Sequence, residues 1–150
     1  MTTEEYTTNA EDQAAVQQLN ERLAQSNAND SISTFQAVPN VSLAPGTHKY
    51  VLLSAQPPND SIQHFVTSRH NAPYHRNAAE PYIQRLQQNG YTDIRVTGGG
   101  RITFHEEEKK IFIYGYSYGF GLADHAKSKE VILGQEKYKG YNVTWSNDGY

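Results

Sequence analysis

Apolar residues fall along this chain in short blocks whose spacing sets out its elements. His48 to Ala55 (HKYVLLSA) predicts a strong strand, and Thr92 to Thr97, Arg101 to His105, Lys109 to Tyr116 and Tyr141 to Trp145 predict four more. Phe35 to Val41 is a modest strand interrupted by Pro39. Ser61 to Thr67 reads as a strand through Ile62, Phe65 and Val66. Pro45-Gly46 is a turn, Gln56 to Ser61 a loop with two prolines, and Glu106-Glu107-Glu108 a solvated hairpin turn. Ala79 to Asn89 predicts a helix with Ile83 and Leu86 on one face and Gly90 as its stop. Pro81 suits a first helical turn, which leaves His75 just ahead of the helix or on a kinked lead-in. A second helix is expected over Asp124 to Gln135. The order β-β-β-α-β-β-β-α-β predicts an α/β domain with a central mixed sheet of about six strands flanked by two helices.

Upstream the pattern changes. Residues 1–9 are polar. Residues 10–26 are good helix formers, with Val16, Leu19 and Leu23 at i, i+3 and i+7. Thr8 or Asn9 would cap such a helix, with Glu11 and Asp12 well placed in its first turn. That apolar stripe is narrow, so partial formation or weak docking is expected. Ser26 to Ser31 reads as a linker. We therefore expect residues 1–30 to be an acidic extension, flexible or partly helical, and residues 31–150 to be the folded domain.

Charge sharpens this division. The net charge is −3, yet residues 1–30 set six acids against Arg22 alone, a net −5, which leaves +2 on residues 31–150. A mildly cationic domain suits an anionic partner, while the overall balance argues against a nucleic-acid binder driven by charge. The absence of cysteine excludes disulfides, thiol nucleophiles and thiolate zinc sites. The acidic, polar start and the lack of a long apolar run point to a cytoplasmic protein with no membrane segment.

Candidate chemistry concentrates in one stretch. Gly98-Gly99-Gly100-Arg101 is followed, after the charged hairpin, by Tyr114-Gly115-Tyr116-Ser117-Tyr118-Gly119-Phe120-Gly121. Glycines alternating with aromatics mark places where the backbone is approached closely, and glycine-rich loops can present N–H groups to an oxyanion. Arg101 adds a planar, permanent cation suited to phosphate.

These residues also resemble a known family. GGGRI, KKI.IYGYS, G.A.HA and the closing YNVTWSNDGY, with HKYVLL and Pro73-Tyr74-His75 upstream, are similar to the protein phosphohistidine phosphatase family, also called Janus or Ocnus. The resemblance runs over roughly residues 35 to 150. It implies a sheet between two helices. It implies hydrolysis of the P–N bond of phosphohistidine, with phospholysine a further candidate, by a monomer that needs no metal or other cofactor. The implied partners are phosphohistidine-containing proteins.

His75 is the catalytic candidate. A helix N-terminus beside it disfavours an imidazolium, and a neutral imidazole can act as base or nucleophile. The plain alternative is an exposed loop histidine. The resemblance decides for catalysis, since His75 falls on the family's catalytic histidine. Arg76-Asn77 follows where the family has Ala-Asp, which raises the question of where the helix starts. The resemblance also gives Lys49, Arg101 and the amides of Ser117, Tyr118 and Gly119 as phosphate contacts. Thr67 replaces a family arginine, and Arg69, two residues on, is a candidate substitute. His125 matches a family histidine, and its place in the first turn of a helix suits a structural role equally well. The other histidines, His48, His64, His70 and His105, form no metal-ligand spacing. Two other readings stay open: a module of this fold that binds a phosphorylated or acidic partner without turnover, and a protein whose active part is the N-terminal helix.

Overall fold

The computed structural model describes residues 13–21 and 37–149. Residues 13–21 form helix α1. Then come β1 (Val41–Ser42), β2 (Gly46–Gln56), β3 (Gln63–Ser68), α2 (His75–Gln88), β4 (Thr92–His105), β5 (Lys110–Tyr114), α3 (His125–Leu133), a 3₁₀ turn at Glu136–Tyr138 and β6 (Asn142–Trp145). The strands form one mixed sheet in the order β1-β3-β2-β4-β5-β6. Its outer pairs β1·β3 and β5·β6 are parallel and its inner pairs antiparallel. The expected α/β class and six-stranded mixed sheet are both present.

β2 explains the layering. Its YVLLSA run is buried throughout because the sheet is covered on both faces, so apolar residues are needed at consecutive positions. Val51, Leu53 and Ala55 face one core with Phe65, Ile94 and the apolar side of α2 (Ala78, Ala79, Ile83, Leu86). Tyr50 and Leu52 face the other, with Ile102, Phe104, Ile111, Ile113 and Ile132 of α3.

Several local expectations change. Thr92–Thr97 and Arg101–His105 are one continuous strand, with the glycine triplet inside it. A register shift opposite Leu52/Leu53 marks a bulge at Thr97, whose hydroxyl donates to Leu52 O at 3.1 Å. Of the expected strand at Phe35–Val41, residues 37–40 are not in a strand, and β1 begins only at Val41. α2 begins at His75, so Pro81 lies within the helix and not in its first turn; it forgoes one backbone bond there.

α1 lies within the segment expected to be flexible or partly helical. Val16 and Leu19 are buried, and Leu19, 2% exposed, joins the α2-side core. The other apolar residue of that stripe, Leu23, and the linker at 26–31 lie outside the described residues.

Candidate active site

The site begins with strand register. In the antiparallel β2·β4 pair, Lys49 is the direct partner of Arg101, and Tyr50 of Gly100. Side chains alternate along a strand, so Lys49 points to the same side as Val51 and Leu53, the side covered by α2, and Arg101 points there with it. Two cations held side by side are suited to receive an anion. They line a depression of about 540 Å³ together with Thr47, His48 and the loop Asn71-Ala72-Pro73.

α2 brings His75 to the same place. Tyr74 is the N-cap, in extended conformation, and Asn77 turns back on it: Asn77 Oδ1 accepts the Tyr74 N–H at 3.0 Å, and the Asn77 N–H donates to Tyr74 O at 3.0 Å. Asn77 can therefore accept from the cap backbone as an aspartate would. The altered Arg76-Asn77 pair leaves a closed helix start, and Arg76 lies over the Tyr74 ring at 4.4 Å. His75, the first helical residue, is 3% exposed, which overturns the exposed-loop alternative. Its Nε2 lies 2.9 Å from Gly100 O. A carbonyl only accepts, so Nε2 carries the proton and Nδ1 the lone pair of the neutral ring. Burial, first, and the Lys49 and Arg101 cations lower its pKa to about 4, against an opposing effect of the Gly100 bond. The direction is as expected, but desolvation outweighs the cations.

The glycine triplet makes room for this. A Cβ on Gly99 would meet His75 Cδ2 at 2.8 Å, one on Gly100 would meet His125 Cε1 at 2.8 Å, and one on Gly98 would meet Ala123 Cα at 2.5 Å. The triplet thus serves as a thin floor between two imidazoles rather than as an anion loop. β5 leaves β4 after Tyr114, and the segment 121–123 takes over its edge: the Gly99 N–H donates to Gly121 O at 3.0 Å and the Ala123 N–H to Gly99 O at 3.2 Å.

The loop 117–121 is closed on itself. The Ser117 N–H donates to Gly121 O at 3.1 Å, the Gly121 N–H to Ser117 O at 2.8 Å, and the Phe120 N–H to Ser117 Oγ at 3.0 Å. Ser117 is therefore a loop-closing residue whose amide is engaged, in place of the expected anion donor. Its Cβ would sit 3.0 Å from a Cβ on Gly99, so the loop abuts His75's floor. Tyr118 and Gly119 form its tip, and Gln13 of α1 donates to Tyr118 O at 3.3 Å.

His125 lies across the sheet from His75. Its Nε2 donates to Gly115 O at 2.7 Å, and its Nδ1 lies 2.6 Å from Tyr50 Oη, which is also 3.0 Å from Ser128 Oγ. It is 1% exposed, and burial above all lowers its pKa. With both ring nitrogens occupied it holds α3 to β2 and to Gly115, just after β5, a structural placement. The other histidines scatter: His48 and His70 meet edge to face at 4.5 Å, and among the described residues no three potential metal ligands converge.

A family model described as the Janus/Ocnus family matches residues 35–142. The chain belongs to the Janus/Ocnus family. Among the relatives of this family, the 14 kDa phosphohistidine phosphatase of Homo sapiens is 36% identical over 128 residues, covering 80% of this chain and 99% of that protein. Its Sus scrofa counterpart is 36% identical over 120 residues, 75% of this chain and 93% of the relative. The sex-regulated protein janus-A of Drosophila melanogaster is 32% identical over 114 residues, 75% of this chain and 82% of the relative. No helix among the described residues is long and apolar enough to cross a membrane.

Against the Janus/Ocnus pattern, Thr67 and Arg69 fall elsewhere. Both line a separate depression of about 220 Å³ with Arg85, Pro81 and Tyr82, on the β1–β3 side of α2. Arg69 stays beside Thr67 but does not line the Lys49–Arg101 depression, so the expected compensation finds no support in position. The Tyr50–Ser128 brace of His125 was not anticipated from the chain. Its only sequence signal is the i, i+3 spacing of His125 and Ser128, which puts both on one helix face.

Proposed function

We propose that this protein is a histidine phosphatase: it hydrolyses the P–N bond of phosphohistidine in proteins, with phospholysine a further candidate, through its own side chains and without a metal. One observation carries this reading. A buried neutral histidine, its Nε2 tied to Gly100 O, stands beside the paired cations Lys49 and Arg101. The phosphohistidine phosphatase names of the human and pig relatives support the same chemistry.

In this scheme Lys49 and Arg101 hold the non-bridging phosphoryl oxygens, Arg101 as a fork, and the Tyr118 and Gly119 amides add donors from the loop. His75 Nδ1 supplies the lone pair. By one route it takes a proton from water as the water oxygen bonds to phosphorus; the P–N bond breaks, and the departing imidazole nitrogen takes up a proton. By the other, Nδ1 itself bonds to phosphorus as the substrate's P–N bond breaks, and water then cleaves the new bond. His125 works through structure, and Arg69 lies outside the seat.

The test is phosphate release from a phosphohistidine protein, with chelator in excess, by wild type and His75→Ala. Release by wild type, loss in His75→Ala and retained binding of inorganic phosphate are expected. The second reading, a module that binds without turnover, is favoured by Thr67 standing where the family has an arginine. Binding without release by wild type would establish it. A phosphoenzyme trapped at His75 separates the two catalytic routes.

A further inference from the structure

Among the described residues, one half of the α2-side sheet face has no helix over it. α2 packs on β2, β3 and β4, and beyond Arg101 the face continues over the C-terminal half of β4, β5 and β6. Register orders its side chains into rows. Lys49, Arg101 and Tyr114 form the first, Thr47, Thr103, Phe112 and Thr144 the second, and His105, Lys110 and Asn142 the third. Phe112 stands in the middle of this surface on an interior strand, yet it is 41% exposed. Its ring stacks on Tyr114 at 5.0 Å and 17°, which fixes its orientation. The second and third rows line a mainly apolar depression of about 240 Å³, room for one aliphatic or aromatic side chain.

This depression adjoins the cation seat. Thr47 lines the seat and Thr103 lines the apolar depression, and the two hydroxyls lie 2.8 Å apart. Successive rows are two residues apart along β4, about 7 Å at the rise of a strand. A phosphoryl group held between Lys49 and Arg101 fixes one end of a bound polypeptide on the first row. An extended chain leaving that point along the face places a side chain over the second or third row about two to four residues away.

We infer that this depression is a substrate subsite: it takes one apolar side chain of the polypeptide flanking the phosphohistidine, with Phe112 as its main wall. The inference rests on the phosphatase reading and adds the specificity that the seat alone lacks, since the seat reads only a phosphoryl group. Phe112 selects among proteins and takes no part in the bond cleavage.

The test uses phosphohistidine peptides of Gly and Ser in which one Leu is walked from two to four positions away on each side, with inorganic phosphoramidate as the small substrate. Wild type is expected to show a KM about tenfold lower for one Leu register than for the peptide without Leu, the scale of burying an aliphatic side chain. Phe112→Ala, which removes the wall, and Thr144→Arg, which fills the depression, are expected to abolish that preference. Both should leave phosphoramidate turnover unchanged, which also reports that they fold. A wild type that cleaves all peptides alike, or variants that keep the Leu preference, would overturn the subsite while leaving the phosphatase standing. A wild type that cleaves neither peptide nor phosphoramidate would overturn both.

Discussion

Two histidines flank the same three glycines, and their partners divide the labour between them. His125 has both nitrogens engaged, by Gly115 O and Tyr50 Oη. His75 has its Nε2 on Gly100 O and keeps a lone pair on Nδ1. With a pKa near 4, His75 is already neutral through the physiological range. The kcat/KM profile on a phosphohistidine peptide should therefore rise through about pH 4 and stay flat across neutrality. A limb centred at the ordinary imidazole value of about 6.5 would show a solvated His75 and contradict the site. Arg101 allows a separate test. Arg101→Lys keeps the charge opposite Lys49 but loses the planar fork, and should cost about 1.5–3 kcal/mol in kcat/KM, the worth of a hydrogen bond to a charged group. Unchanged kinetics would remove Arg101 from phosphoryl binding.

At the level of elements, β4 shows what local pattern can and cannot say. The strand at His48–Ala55, the Glu106–Glu108 hairpin and the helices were legible because each is a matter of period and flanking residues. The continuity of β4 was not, because glycine's local preference is for turns, whereas here the missing side chains answer to partners far along the chain. The start of α2 at His75 was obscured in the same way: Pro81 reads as a first-turn residue, while Tyr74 and Asn77 close the cap seven and four residues earlier. Lys49 and Arg101 were recognisable as phosphate candidates from the family pattern. Their direct pairing depends on register, which a bulge at Thr97 shifts and no short window reveals. The glycine argument makes a graded prediction. Gly98→Ala would drive a Cβ into the backbone of Leu122 and Ala123, which cannot rotate away, and should destabilise the fold by at least about 1–3 kcal/mol. Gly121→Ala meets nothing within 4 Å, and its cost is confined to the strain of a φ of +87°. Denaturant midpoints compare the two, and equal stability of Gly98→Ala and wild type would remove the close-approach account.

Across the whole molecule, the N-termini of α2 and α3 converge on the centre of the sheet from opposite faces and bury an imidazole on each side of β4. α1 adds to one face through Leu19 and reaches the 117–121 loop through Gln13. The buried pair also links the stability of the entire fold to pH. In the unfolded chain each histidine takes up a proton near pH 6.5; in the folded protein His75 resists protonation down to about pH 4, and His125 is shifted in the same direction. Between those values the unfolded state binds more protons than the native state, so unfolding becomes easier as pH falls. Stability from this source is complete above about pH 6.5 and declines towards pH 4. For His75 alone the interval corresponds to about 3 kcal/mol, a large share of the 5–15 kcal/mol typical of a domain. Urea unfolding at a series of pH values between 4 and 7.5 should show this decline, and His75→Gln, which keeps a polar side chain but cannot titrate, should make the curve shallower by about that amount. A His75→Gln curve parallel to that of wild type would show that His75 binds its proton equally well in both states. The neutral, buried base on which the proposed chemistry rests would then be lost with it.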